Sequence, residues 1–370
     1  MANFYAAYKA KIKHAAQLLQ KKGIVGVGVG YKNPKQPKQG ACVIIYTETA
    51  SAVSTSSVPK SVSTTVQGKV VQVPIRTIVS GKVKVFHDAK AKVAPYTDRI
   101  RPVPGGYSVG YPSLPGSPGV SGTGGLIAIN YPARTQYYVC SNNHVLNRNN
   151  SADYTETIQP GAADSGQATT DEIGRLDRFI PLQKTGDNYL DAATCIPLDN
   201  SLLSPTYATV GVVPGHLLTY RVGEVFKKVG RTTGAVTGTV ESVHTDFTVN
   251  YGDYGGLGVI QFRDQSVILG ATPTSLPGDS GSIWLRSSDN YAAAVNYAGF
   301  EDGLRSISYP FNWFSQLFNV RVAQPNIGAG DIKGVRMKSY SYTRPLTKKQ
   351  ISTLKSVLAR KATEITSHPF

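Results

Sequence analysis

A mainly β chain with many tight turns is the fold class this sequence predicts, and three observations carry it. Thirty-seven glycines, 22 prolines and 21 tyrosines among 370 residues supply turn formers and strand formers in quantity. Sustained helical periodicity is scarce after residue 22. At residues 276–285, Leu-Pro-Gly-Asp-Ser-Gly-Ser-Ile-Trp-Leu, a turn-prone run of small residues leads straight into an apolar strand. The length allows two domains, each with its own core.

Taken in order, Asn3 caps a helix expected to run to about Lys22, with Gly23 just past its end. Phe4, Tyr8, Ile12, Ala15, Leu18 and Leu19 recur at three- and four-residue steps as its apolar stripe. Packing on the following sheet is favoured over contact with membrane or nucleic acid. Ile24 to Tyr31 alternates at the strand period, Val25, Val27, Val29 and Tyr31 opposite Gly26, Gly28 and Gly30. The glycine spacing matches neither a dinucleotide fingerprint nor a Walker loop, so these residues are expected to let the helix lie close. Residues 33–40 read as a turn, 41–47 as a strand, 49–63 as a loop, and 64–78 and 82–86 as strands. Residues 1–104 thus form a small basic α+β domain, in which His14 and His87 lack acidic neighbours at useful spacing.

Dense Pro, Gly and Ser across 102–124 reads as a linker. Residues 126–130 and 136–140 then form a hairpin leading to His144, 149–171 a polar loop, and 173–179 a strand before Asp187 and Asp191. Tyr251-Gly-Asp-Tyr-Gly-Gly reads as a loop near the cleft, Asp253 being a solvated turn residue rather than an ion ligand. Phe311, Trp313, Phe314, Leu317 and Phe318 lie at helical spacing and suggest a closing helix held by core packing. Residues 326–370 form a basic tail. In it Thr347 and Gln350 form a capping box for a last helix with the stripe Ile351, Leu354, Leu358, Ala362 and Ile365.

Charge is uneven. Residues 1–105 hold 17 Lys+Arg against 3 Asp+Glu, residues 106–325 hold 13 against 18, and residues 326–370 hold 9 against 2. An acidic centre between basic flanks suggests an anionic partner, or flanks that dock on the centre of the same or another subunit; lysines kept for solubility are the plainer reading. Cys42, Cys140 and Cys195 are too few for a disulfide scaffold and are expected as buried free thiols, with Cys140 and Cys195 close in space. Lys9, Lys11, Lys13, Lys21 and Lys22 interrupt any signal-peptide core, and no window approaches the ~20 apolar residues of a membrane span. A cytoplasmic site is expected, with no cofactor and no metal.

The chemistry centres on Ser280. Its turn can present one hydroxyl while the Gly278 and Ser280 amides converge on a neighbouring oxygen, the requirement of an oxyanion hole. A serine hydroxyl needs a base and an orienting group. His144, where an apolar strand enters a polar segment, and Asp191, entering a small apolar strand, are the candidates. Asp187 is the runner-up carboxylate, in a Gly-Asp-Asn turn context. His216 and His244 are the competing bases, read as surface or turn residues.

The Gly-Asp-Ser-Gly motif, the His–Asp–Ser order and the long gaps between them resemble the chymotrypsin-fold serine proteases. Ser141-Asn-Asn-His-Val-Leu146 resembles the histidine motif of the narrow-leaf type trypsin-like proteins of plants and their bacterial relatives. Val229-Gly-Arg-Thr-Thr-Gly234 resembles a segment of bacterial chymotrypsin-like enzymes. The resemblance implies a double six-stranded antiparallel β-barrel over residues 105–325. It implies hydrolysis of a protein or peptide substrate by a serine endopeptidase of restricted or self-directed specificity, with His144, Asp191 and Ser280 as triad. It also implies a pocket with Thr274 as its floor and Asn296, Tyr297 and Gly299 in its wall, suited to small or medium uncharged side chains, and makes a homo-oligomer conceivable. Asp279, which pairs with a new N-terminus in enzymes cleaved from a precursor, is expected to find an internal Arg or backbone amides instead. The alternative is a non-catalytic scaffold or nucleic-acid binder on the same fold.

Overall fold

The computed structural model describes residues 1–55, 58–85, 95–117, 119–334 and 339–360. His87, Ala362 and Ile365 lie outside them. The chain is mainly β, and its strands fall chiefly into two sheets. In the second half, strands Val225–Gly230, Gly234–Asn250, Val259–Leu269, Arg305–Pro310, Ala292–Phe300 and Ile283–Arg286 pair antiparallel in a closed ring of six. Phe247, Phe262, Ile283, Leu285, Tyr297, Phe300 and Tyr309 belong to the main apolar core.

The first half is an eight-stranded sheet. Glu156–Ile158, Glu172–Phe179, Ala193–Pro197, Tyr137–Ser141, Leu126–Asn130 and Val320–Gln324 pair antiparallel in that order. Val320–Gln324, beyond the aromatic helix Phe311–Phe318, brings the chain back from the second half to complete this sheet. A near-continuous run of small and apolar residues suits a strand buried on both faces, and every residue of Ala292–Phe300 is buried.

The N-terminal region joins the ring through backbone hydrogen bonds. Helix α1 (Phe4–Leu19) is followed by β1 (Ile24–Tyr31), β2 (Ala41–Thr47), β3 (Ser61–Val66) and β4 (Lys69–Val79). β1 pairs with the long strand Gly234–Asn250, taking up the edge that Val225–Gly230 leaves at Thr239. Asn3 caps α1, its Oδ1 accepting from the Ala6 amide at 2.9 Å. The helix ends at Leu19, three residues before Lys22, and its buried face is Ala6, Ala7, Ala10, Lys11, Ala15 and Leu18. Ile12 is exposed. The stripe was drawn too far toward large side chains, because alanines give the closest helix-to-sheet approach.

Three further expectations are corrected. The β1 glycines make room for the ring, not for the helix: a Cβ on Gly26 would lie 2.2 Å from the Phe247 ring, and one on Gly28 would lie 2.2 Å from Thr245 Oγ1. Residues 49–63 contain a short helix, Ala50–Thr55, and the start of β3. The stretch expected as a linker is threaded through the body, with Val103, Ser108, Val109, Ser121 and Thr123 buried. In the tail, Thr347 and Gln350 form the capping box of a helix ending at Val357, so Leu358 falls just outside it.

Candidate active site

Strand pairing sets the first two groups side by side. Tyr137–Ser141 runs antiparallel to Ala193–Pro197 with Ser141 opposite Ala193. Asp191, two residues before Ala193, therefore meets the short helix Asn143–Leu146 that follows Ser141. His144 Nδ1 and Asp191 Oδ2 are 2.5 Å apart, and the His144 amide donates to Asp191 Oδ1 at 3.2 Å. The Asn142 side chain and the Tyr309 hydroxyl donate to the Asp191 carbonyl at 2.7 and 2.9 Å.

Asp191 is fully buried. Burial alone would raise its carboxyl, but the His144 imidazole and hydrogen bonds from His144 and Tyr251 hold it below the ordinary carboxylate value. An ionised aspartate bonded to Nδ1 fixes the imidazole tautomer and leaves Nε2 as the working nitrogen. Asp187, the alternative carboxylate, is half-exposed and pairs with Arg263 at 2.7 Å.

The Ser280 turn comes from the closed ring and is laid against the same segment. The Thr123 amide donates to the Ser280 carbonyl at 2.7 Å, while Ser141 Oγ donates to the Thr123 carbonyl at 2.8 Å. A Cβ on Gly122 would lie 2.4 Å from Val145 Cγ2 and 3.1 Å from the Ser280 carbonyl oxygen, so only a glycine fits where the two halves meet. The Ser280 hydroxyl itself donates to the Tyr297 carbonyl at 3.2 Å.

Gly278 has φ +96°, and its carbonyl is turned onto Thr123 Oγ1 at 2.9 Å. Among the described residues, neither the Gly278 nor the Ser280 amide donates to a backbone carbonyl.

Asp279 anchors the turn from inside. Its Oδ1 accepts from the Thr232 and Thr233 amides at 3.1 and 2.9 Å, and its Oδ2 from the Leu276 amide at 2.9 Å. Lys228 Nζ lies 3.9 Å from Oδ2, with both side chains fully buried. Burial pulls the Lys228 ammonium below its ordinary value and Asp279 opposes that pull. The expected internal arginine is thus a lysine acting beside backbone amides. Arg231 instead forms a buried ion pair with Asp164.

The expected pocket residues surround the turn. Thr274 is buried, its hydroxyl donating to the Leu304 carbonyl at 3.0 Å. Asn296 is a cross-brace: its Nδ2 donates to the Asp279 carbonyl at 3.0 Å and its Oδ1 accepts from Ser275 and Ser306. Gly299 lies against Ser275, whose Oγ would stand 2.7 Å from a Cβ there. Tyr297 corrects the expectation of a narrowing wall: its fully buried ring packs on Phe262 and Tyr309 at 4.7 and 6.0 Å.

Sequence reasoning missed several contributors. Tyr251 donates to Asp191 Oδ2 at 2.6 Å, and Tyr254 to the Asn147 carbonyl at 2.9 Å. Its glycines mark 251–256 as a loop in the sequence, but no local signal directs its tyrosines to Asp191 and Asn147. His216 and His244 are also corrected, since both are buried. Burial pulls His216 down to about 4, and Asn312 is its hydrogen-bond partner at 3.3 Å. His244 is 2.5 Å from Asp264.

The fold is therefore mainly β, a closed six-stranded ring beside an eight-stranded sheet, with a His–Asp pair in one half and a Gly-Asp-Ser-Gly turn in the other. No protein-family model and no curated protein matches the chain. Among solved structures, the chain is similar to one described as a glutamic acid specific serine protease that utilizes a novel histidine triad in substrate binding. Identity is 21%, coverage 60% of this chain and 100% of that one, and the TM-score 0.40. Thermobifida fusca Protease A is similar at 17% identity, 60% and 97% coverage and a TM-score of 0.39. For the Nocardiopsis protease the figures are 18%, 60% and 99%, and 0.40.

Proposed function

We propose that the chain is a serine endopeptidase. The observation that carries this reading is the 2.5 Å contact between His144 Nδ1 and the fully buried Asp191, with the Ser280 turn tied to the same segment through Thr123. Ser280 Oγ attacks the peptide carbonyl while His144 Nε2 takes its proton. The Gly278 and Ser280 amides hold the oxyanion, each such donor being worth on the order of 3 kcal/mol of barrier. The imidazolium passes the proton to the leaving amine, and water releases the acyl group by the same steps. Asp191 stays ionised and stabilises the imidazolium.

Thr274, Asn296 and Gly299 border the pocket in this reading, and an uncharged floor favours small or medium uncharged side chains. The test is labelling of the full chain and of Ser280→Ala by a fluorophosphonate probe, alongside cleavage profiling on a peptide library. Labelling confined to the wild type, with cleavage after uncharged residues, is expected. Equal labelling of both, or none with no cleavage, overturns the reading.

A further inference from the structure

Asp191 Oδ2 accepts two hydrogen bonds, from His144 Nδ1 at 2.5 Å and from the Tyr251 hydroxyl at 2.6 Å. The imidazole belongs to the eight-stranded sheet. The phenol comes from the other half, at the start of the loop joining Gly234–Asn250 to Val259–Leu269. We propose that Tyr251 is a positioning residue that acts through Asp191 to set the orientation and hydrogen bonding of His144, so that the pair is complete only when this loop is seated. The inference rests on the peptidase reading for its consequence in catalysis, but not for its geometry.

The loop is built to hold one position. Tyr251 N donates to the Gly258 carbonyl at 2.7 Å and Gly258 N to the Gly252 carbonyl at 3.0 Å, closing it on itself. It grips the histidine segment and its carboxylate at three points. Tyr251 holds Asp191, Tyr254 holds the Asn147 carbonyl at 2.9 Å, and Gly255 approaches the Asn149–Asn150 turn. A Cβ on Gly255 would lie 3.0 Å from Asn150 Cβ and 3.1 Å from the Asn149 carbonyl oxygen, at a φ of +57°. Glycine alone meets both conditions without strain.

The choice of partner gives the phenol leverage. A phenol donating to an ionised acceptor makes a charge-assisted bond, about twice the strength of a neutral one. That bond draws charge from the oxygen that also binds the imidazole, so its loss would strengthen that oxygen's hold on an imidazolium. Among the described residues, titratable groups near the pair include Tyr254 from the same loop and Tyr297 and Tyr309 from the ring, with Cys140 of the strand before His144 beside Tyr309. Burial pushes all four up, so they stay neutral where histidine titrates.

The test compares the full-length wild type with Tyr251→Phe and Tyr254→Phe. One readout is the pH dependence of kcat/KM on a library-selected peptide; the other is the proton NMR resonance and titration of His144 Nδ1–H. For Tyr251→Phe the expected result is a kcat lower by about fivefold with KM within about twofold, since the loss falls on the transition state. Its acid limb should move upward by several tenths of a pH unit and the resonance should shift. Tyr254→Phe, which loses a bond to Asn147 and none to Asp191, should leave the His144 titration in place.

Should Tyr251→Phe fail to fold, fluorotyrosine at 251 keeps the phenol but makes it a stronger donor, and the limb should move downward. An unmoved limb and resonance in folded variants overturn the inference even if the enzyme is active. A wild type that neither cleaves peptides nor takes the probe overturns the peptidase reading instead, while a shifted resonance in Tyr251→Phe would still uphold the coupling.

Discussion

Two His–Asp pairs in this chain have the same 2.5 Å separation and very different surroundings. In the first, Asp191 is fully buried, also takes the Tyr251 hydroxyl and faces the segment tied to Ser280. In the second, Asp264 keeps 30% of its side chain exposed. His244 there faces the rings of Tyr8 and Tyr340 at 4.9 and 6.5 Å, where α1 docks on the ring. Beside it, Lys11 of α1 reaches Asp246 at 2.6 Å with both side chains buried. His244 and Asp264 have φ of +52° and +62°, where the ladder of Gly234–Asn250 and Val259–Leu269 shifts register. One pair is therefore sealed between the two halves beside the serine turn, and the other lies where a helix docks on the ring. A short imidazole–carboxylate contact acquires a role only from what faces it.

The sharpest way to break the comparison is to remove the hydroxyl that the proposed mechanism makes the nucleophile. Ser280→Ala should lower peptide turnover by about 10⁶-fold, judged from comparable triads, as read by steady-state kinetics. The carboxylates come next. Asp191→Asn should cost about 10⁴-fold in kcat by favouring the wrong imidazole tautomer. Asp264→Asn should leave kcat within about twofold, since a partly exposed carboxylate outside the proposed site contributes little to it. A matching loss in both aspartate variants would show the two pairs to be equivalent.

Buried charge without an imidazole gives a smaller effect. Lys228→Met leaves Asp279 without its buried cation and should cost about 3 kcal/mol of stability in urea denaturation, with the serine turn the first part affected. His216, which has no carboxylate partner among the described residues, supplies the pH reference. Its folded value of about 4 lies below the ordinary 6.5. The unfolded chain therefore binds a proton that the native state does not between those values. Stability present above pH 6.5 should fall as pH drops toward 4, by up to about 3 kcal/mol. His216→Phe should flatten that slope in denaturation curves taken across the interval, and an unchanged slope would remove the assignment.

Much of the β frame could be read from the chain because it depends on local pattern. Small, branched strands bounded by glycine turns, the Asn3 cap and the Thr347–Gln350 box are all short-range signals. The contact between positions 144 and 191 was anticipated from motif order, and the structure adds the strand register that produces it. What escaped notice depends on long-range pairing. Nothing near residue 251 says that its phenol will reach an aspartate 60 residues earlier. Nothing in Ile24–Tyr31 says that its glycines will face Phe247 and Thr245 of another strand. His244 looked superficial because no local pattern announces that α1 will cover it.

The 17-residue strand Gly234–Asn250 gives its two edges to four partners, β1 among them. Trimming the N-terminal region away would strip one of those edges bare along its middle and leave Asp246 with Arg263 but without Lys11. A bared edge is a template for another chain's strand. The N-terminal region thus doubles as a permanent cover, and a shortened chain should clump rather than behave as a free-standing barrel.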